Sequence, residues 1–158
     1  MHNVSKAAQP QSAIADRPPS SLEEVVFVEL SRTAHLLSRA VTALLKSEDL
    51  SSTQYNVLRI LRGAPQGLAC GEIANRMITH DPDITRLLDR LEKRNLIART
   101  REATDRRMVV ASITPDGLKL LASLDLPVQK THKNQLGHMR KKQLRALAEL
   151  LQVTRKPE

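Results

Sequence analysis

Between Asp81 and Gly117 the chain concentrates the residue types that contact polyanions. Thr85, Arg86, Arg90 and Lys93 fall in one run, Arg101 follows it, and Asp105-Arg106-Arg107 marks a polar turn. A guanidinium offers parallel donors to a guanine edge or a phosphate, and a threonine hydroxyl donates or accepts, so this chemistry is recognition rather than catalysis. Within the run Ile84, Leu87, Leu88 and Leu91 recur at i, i+3, i+4 and i+7, which lines one helical face for burial. The other face then carries Asp83, Thr85, Arg86, Asp89, Arg90 and Lys93. A solvated helix face has the same composition, and the flanking elements have to decide between the two.

Asp81 suits an N-cap and Pro82 the first helical position, so the helix is expected to begin there. Beyond it, Leu96 to Glu102 and Met108 to Thr114 read as two short strands around the charged connection Ala103 to Arg107. Val109, Ala111 and Ile113 alternate as one half-buried strand would, and Ile97 leads an alternation with Arg99 and Arg101 in its partner. Arg106, with Arg107 as the alternative, is placed to enter a minor groove, and Asp105 to orient one guanidinium. Upstream, Cys70 to Met77 forms a short helix with Ile73, Ala74 and Met77 on one side, and a tight turn at Thr79 and His80 gives helix-turn-helix spacing.

Four ordered blocks, Gly71-Glu72-Ile73-Ala74, Ile84 through Glu92, Asp105-Arg106-Arg107 and Thr114-Pro115-Asp116-Gly117, resemble the MarR family of bacterial winged-helix regulators. The likeness runs from about Leu30 to Leu151. It implies a mainly α fold with a small β-hairpin wing (α+β), that is, a winged helix-turn-helix with long N- and C-terminal dimerisation helices. It implies a homodimeric transcriptional regulator without catalytic activity or cofactor, a repressor in the first reading, on a pseudo-palindromic double-stranded operator. In that reading Thr85 and Arg86, with Arg90, meet base edges, while Arg90, Lys93 and Arg101 meet phosphates. The family also implies release by a small-molecule effector, commonly an aromatic acid or other phenolic ligand; His35, Arg39, Tyr55 and Arg59 are the candidate lining groups. Asp81 and Asp83 depart from the family pattern, where Ser or Thr is common. They either cap the helix and complement its dipole, the favoured reading, or accept from cytosine N4.

The rest of the chain reads as helices that carry this unit. Residues 1–20 mix Pro, Ser, Gln and Asn and are expected to be a flexible arm. Residues 21–155 are expected to form a single domain, with the winged lobe at about 50–113 and the dimerisation helices at about 21–46 and 114–155. Ser21 and Glu24 make a capping box for the first helix, with Leu30, Ala34, Leu37, Val41 and Leu44 as its inner stripe, and Ser51 and Gln54 repeat the logic for a helix ending near Gly63 and Pro65. Thr114 and Pro115 open a further helix, which Pro127 is expected to kink or divide before Gln129 to His138. Leu144, Leu147, Leu150 and Leu151 define a last one.

Composition narrows the function classes. The 158 residues, with a formal charge of +8, favour a polyanionic partner. With Phe27 and Tyr55 as the only rings, the core must be aliphatic. No apolar run or secretory leader is evident, which points to the cytoplasm and no membrane partner. Cys70 is the only cysteine, more consistent with a buried thiol than with a peroxide sensor. His2, His35, His80, His132 and His138 show no metal-ligand spacing, and neither a phosphate loop nor a nucleophile elbow is present. Arg140, Lys141, Lys142 and Arg145 read as a solvated face. A redox- or metal-responsive regulator of the same fold and a winged-helix protein-interaction module are the alternatives.

Overall fold

The computed structural model describes residues 21–79, 83–101 and 109–155. The chain divides into two compact units, residues 1–36 and 37–158. The described part of the first unit is the N-terminal portion of α1 (Leu22–Lys46), opened by Ser21, whose hydroxyl accepts from the Glu24 amide at 3.2 Å. There Leu22, Val25, Val26 and Phe27 are exposed.

The second unit holds the end of α1, then α2 (Ser52–Arg62), β1 (Leu68–Ala69), α3 (Cys70–Arg76), α4 (Ile84–Lys93), β2 (Ile97–Arg101), β3 (Val109–Ile113), α5 (Pro115–Leu136) and α6 (Lys141–Val153). The fold is therefore mainly helical with one small antiparallel sheet. Its core is aliphatic: Leu45, Val57, Leu58, Leu61, Ile73, Leu91, Ile97 and Leu121 are almost fully enclosed. Leu45, rather than the half-buried Leu37, Val41 and Leu44, is the buried residue of α1. Ser51 and Gln54 form the expected capping box, and Gly63 closes α2.

The wing is more than a hairpin. Strand order is β1-β3-β2, with Leu68 opposite Ala111 and Ala111 opposite Arg99. A two-residue strand carries too little pattern to be read from sequence. The expected alternation holds at the base of the wing, where Ile97 and Ala111 are buried, and fails at Val109, which is 42% exposed because that end leaves the core.

Two other expectations change. Helix α4 starts at Ile84 with Asp83 as N-cap, its carboxylate accepting from the Arg86 amide at 3.2 Å. The proposed cap at Asp81 and Pro82 lies outside the described residues. Pro127 does not divide α5, which is continuous from Pro115 to Leu136. Leu121, Leu124 and Val128 are buried on both sides of the proline, so packing outweighs the one lost backbone bond.

Three contacts fix α4 in the unit. Leu87, Leu88 and Leu91 are buried behind it. At its end the Arg94 guanidinium donates to the Asp49 and Glu48 carbonyls at 2.6 and 3.0 Å. From the wing, Arg99 donates to Asp89 at 2.6 Å and to Glu92 at 2.5 Å. The Arg99 hydrogen bond holds the Glu92 carboxyl below its ordinary value of 4.5, and Glu92 in turn raises Arg99. The base of the wing is closed by Thr114, which donates to the Asn95 carbonyl at 2.6 Å, and by the Asn95 amide donating to Asp116 at 2.7 Å.

Gly117 sits at this joint, where a Cβ would press into the Leu96 carbonyl oxygen and the Ile113 side chain, whereas Gly71 faces open space. Gly117→Ala is expected to cost about 1–3 kcal/mol, lowering Tm by roughly 2–12 °C, while Gly71→Ala is neutral or mildly stabilising. Calorimetric melting of the two variants checks this, and equal melting would contradict it. A second prediction concerns pH. Because the folded Glu92 pKa lies below 4.5, its stabilisation is complete above the unfolded value and is lost as pH falls through the folded one. The Tm gap between the parent and Glu92→Gln should be widest at neutral pH and narrow as pH falls below the ordinary carboxylate value; a gap that does not narrow on acidification would refute the clamp.

Candidate nucleic-acid interface

Burying Leu87, Leu88 and Leu91 turns the opposite side of α4 outward. Thr85, Arg86, Arg90 and Lys93 are all exposed there, and Arg86, Arg90 and Lys93 follow the i, i+4, i+7 spacing of one face. The Arg86 side chain is 74% exposed, held at its base by Asp83, 3.5 Å away. Arg101 is exposed at the end of β2.

Asp83, carried from the sequence both as a helix cap and as a possible base contact, caps α4 as the favoured reading had it: its carboxylate accepts from the Arg86 amide at 3.2 Å and lies 3.5 Å from the Arg86 guanidinium. Asp89, on the same polar face, is bound by Arg99. Two cations near this surface, Arg94 and Arg99, are used for structure, and Arg86, Arg90, Lys93 and Arg101 remain outward. Sequence reasoning missed the Arg99 clamp, although Asp89, Glu92 and Arg99 all carried the charges for it. Asp105, Arg106 and Arg107 lie outside the described residues.

A second candidate site is a cavity of about 340 Å³ in the second unit. Tyr55 and Arg59 line it, the guanidinium standing 5.8 Å from the ring centre. Arg39 is exposed and is not among the lining residues, and His35 is an exposed residue of the first unit. Asn56, Ile78, Thr79, His132 and Gln135 also line the cavity. They come from α2, α5 and the turn before α4, and no local pattern in the chain announces that convergence. Gln135 donates to the Leu37 carbonyl at 2.9 Å, and its Oε1 is buried without a partner among the described residues. Cys70 is half-buried beside a smaller cavity of about 230 Å³ with Thr85 and Arg99. Arg140, at the cap of α6, and Lys141, Lys142 and Arg145 on it are exposed, as expected. Among the described residues, no three His, Cys, Asp or Glu side chains cluster to hold a metal, and no helix is long and apolar enough to cross a membrane.

Comparison with known proteins agrees with this geometry. The MarR family model matches residues 50–109. The HTH-type transcriptional regulator PecS of Dickeya dadantii is 30% identical over 109 residues, covering 67% of this chain and 66% of PecS, so the chain spans just under two thirds of that relative. The crystal structure of a MarR transcription factor from Planctomyces limnophilus is 39% identical, with a TM-score of 0.66 over 85% of this chain and 98% of that one. Bordetella bronchiseptica BpsR, in a structure addressing regulation of its DNA binding by 6-hydroxynicotinic acid, shares the fold at 21% identity. Its TM-score is 0.77, over 89% of this chain and all of BpsR. With the outward polar helix, the three-stranded wing and these matches in hand, the chain belongs to the MarR family of transcriptional regulators.

Proposed function

We propose that this protein is a non-catalytic, homodimeric regulator that reads a pseudo-palindromic duplex in the cytoplasm, a repressor released by a small molecule. The observation that carries the reading is the exposed face of α4, where Thr85, Arg86, Arg90 and Lys93 stand together on a helix anchored from behind. Thr85 and Arg86 contact base edges, and Arg90, Lys93 and Arg101 neutralise phosphates. Arg106, or Arg107, enters the flanking minor groove with Asp105 orienting it. That BpsR is described as a DNA-binding protein of this fold supports the reading.

Dimerisation rests on complementary surfaces. Helix α6 has no buried residue, and between α5 and α6 runs an apolar groove of about 730 Å³ lined by Leu126, Leu136 and Leu144 with Lys130 and Lys133 at its rim. The start of α1 carries exposed Leu22, Val25, Val26 and Phe27 beside Glu23, Glu24 and Glu29. That acidic, apolar segment of one copy suits the basic, apolar groove of another. A two-fold pair then sets two α4 helices in successive major grooves, about 34–36 Å apart.

The effector occupies the Tyr55 and Arg59 cavity. Arg59 suits an acidic group, Tyr55 a flat ring, and the Gln135 carbonyl oxygen a donor. 6-Hydroxynicotinic acid, which regulates BpsR, has an acid, a ring and a donor, and makes a rational first probe. Release requires that the bound state prefer a spacing of the α4 helices that mismatches the duplex.

The reading is tested with a duplex selected by the parent protein from random DNA. Arg86→Ala should lose about 1–3 kcal/mol, roughly 5- to 150-fold, on that duplex and much less on scrambled DNA, whereas Lys93→Ala should weaken both alike and lower the salt slope by about one. Equal binding by Arg86→Ala and the parent on both duplexes would overturn the assignment of α4.

A further inference from the structure

The Tyr55 and Arg59 cavity is bounded on one side by residues that lie between α3 and α4 in the chain. Asn56, on α2, lines the cavity, and its side-chain oxygen accepts a hydrogen bond from the Ile78 amide at 2.8 Å. Ile78 and Thr79 form a bend that follows α3 and precedes α4 in the chain, and both line the same cavity. Met77 packs against the core, but Ile78 is 80% exposed, so the chain beyond Met77 gains little from apolar packing of the Ile78 side chain. Helix α3 ends at Arg76, and Met77, with extended backbone, is its C-cap, so the helix ladder does not extend to Ile78 either. The Asn56 bond spans 22 residues of sequence and ties the turn to the buried body of α2, where Tyr55, Val57 and Leu58 are enclosed.

From this juxtaposition we propose that Asn56 is the positioning residue through which occupancy of the cavity reaches α4. The inference rests on the effector reading above and adds the part that transmits it. With the cavity empty, the tether fixes where the chain enters α4 and so the aim of Thr85 and Arg86. A ring compound seated between Tyr55 and Ile78 competes for the space that the turn occupies, draws the Ile78 amide off Asn56, and leaves the N-terminal end of α4 free to shift. The coupling is reciprocal, since DNA that holds α4 in place also holds the turn and disfavours the occupant. A small displacement is enough, because a recognition helix moved by about 1 Å loses aligned base contacts.

Asn56→Asp keeps an acceptor for the Ile78 amide, and Asn56→Ala removes it, so the pair separates tethering from general packing. Affinity for the selected duplex, exchange of the Ile78 amide and Tm are measured for the parent and both variants, free and with 6-hydroxynicotinic acid at a concentration that calorimetry shows to be saturating. Asn56→Ala is expected to keep a Tm near that of the parent, to exchange the Ile78 amide faster and to bind the duplex about tenfold more weakly. Asn56→Asp should recover most of that loss. The acid should weaken duplex binding by the parent and speed its Ile78 exchange, yet change duplex binding by Asn56→Ala by less than about threefold. Parent-like affinity in Asn56→Ala, or equal loss on the acid in parent and Asn56→Ala, would overturn the proposal. A parent that selects no duplex would refute the DNA-binding reading instead. A parent that binds DNA but not the acid would refute 6-hydroxynicotinic acid as its effector, and the Asn56→Ala and Asn56→Asp affinities would still decide whether the tether aims α4.

Discussion

Everything the outer face of α4 presents depends on how that helix is held from behind. Burial of Leu87, Leu88 and Leu91 contributes roughly 1.5–3 kcal/mol per side chain, whereas a partly exposed ion pair contributes about 0–1 kcal/mol. The leucines therefore keep α4 in place and turn its polar side outward, and the ion pairs join it to the wing. Arg99 reaches from β2 to two successive acids of α4, and Arg94 reaches from the end of α4 to the turn after α1. A rigid relation between helix and wing follows, because both ends of the connection are fixed at the point where Asn95, Leu96 and Thr114 close the base of the sheet.

The same contacts organise the charge. The helix proposed to meet a polyanion carries three acids at its cap and along its length, Asp83, Asp89 and Glu92, which at first sight oppose that proposed role. Asp83 sits at the N-terminus, where the helix dipole favours it, and Asp89 and Glu92 are matched by a cation from the wing. What is left facing solvent is Arg86, Arg90 and Lys93, with Arg101 beside them. The acids thus serve to hold this surface, and its outward charge comes from those four cations.

Much of this was legible in the chain because local physics dictated it. The capping pairs Ser51 with Gln54 and Thr114 with Pro115 marked helix starts, and the apolar spacing of Ile84, Leu87, Leu88 and Leu91 marked the buried side of α4. The outward set could be named for the same reason. What escaped depended on tertiary neighbours. The strand Leu68–Ala69 exists because β3 lies beside it, and α5 runs through Pro127 because its flanks are packed. Asp89 carried the composition of a solvated face, and only the position of Arg99 assigned it its work. The cavity was half legible: Tyr55 and Arg59 lie on it with Asn56 of the same helix, while Ile78, His132 and Gln135 reach it from other elements.

The central claim is that two copies present their α4 surfaces to one duplex. It is tested most directly by the sequences that the purified protein recovers from a random DNA pool. The account predicts an inverted repeat whose half-sites are centred about 10–10.5 base pairs apart, or a multiple of that spacing. Recovery of a single unpaired half-site, or of no shared motif at all, would contradict it.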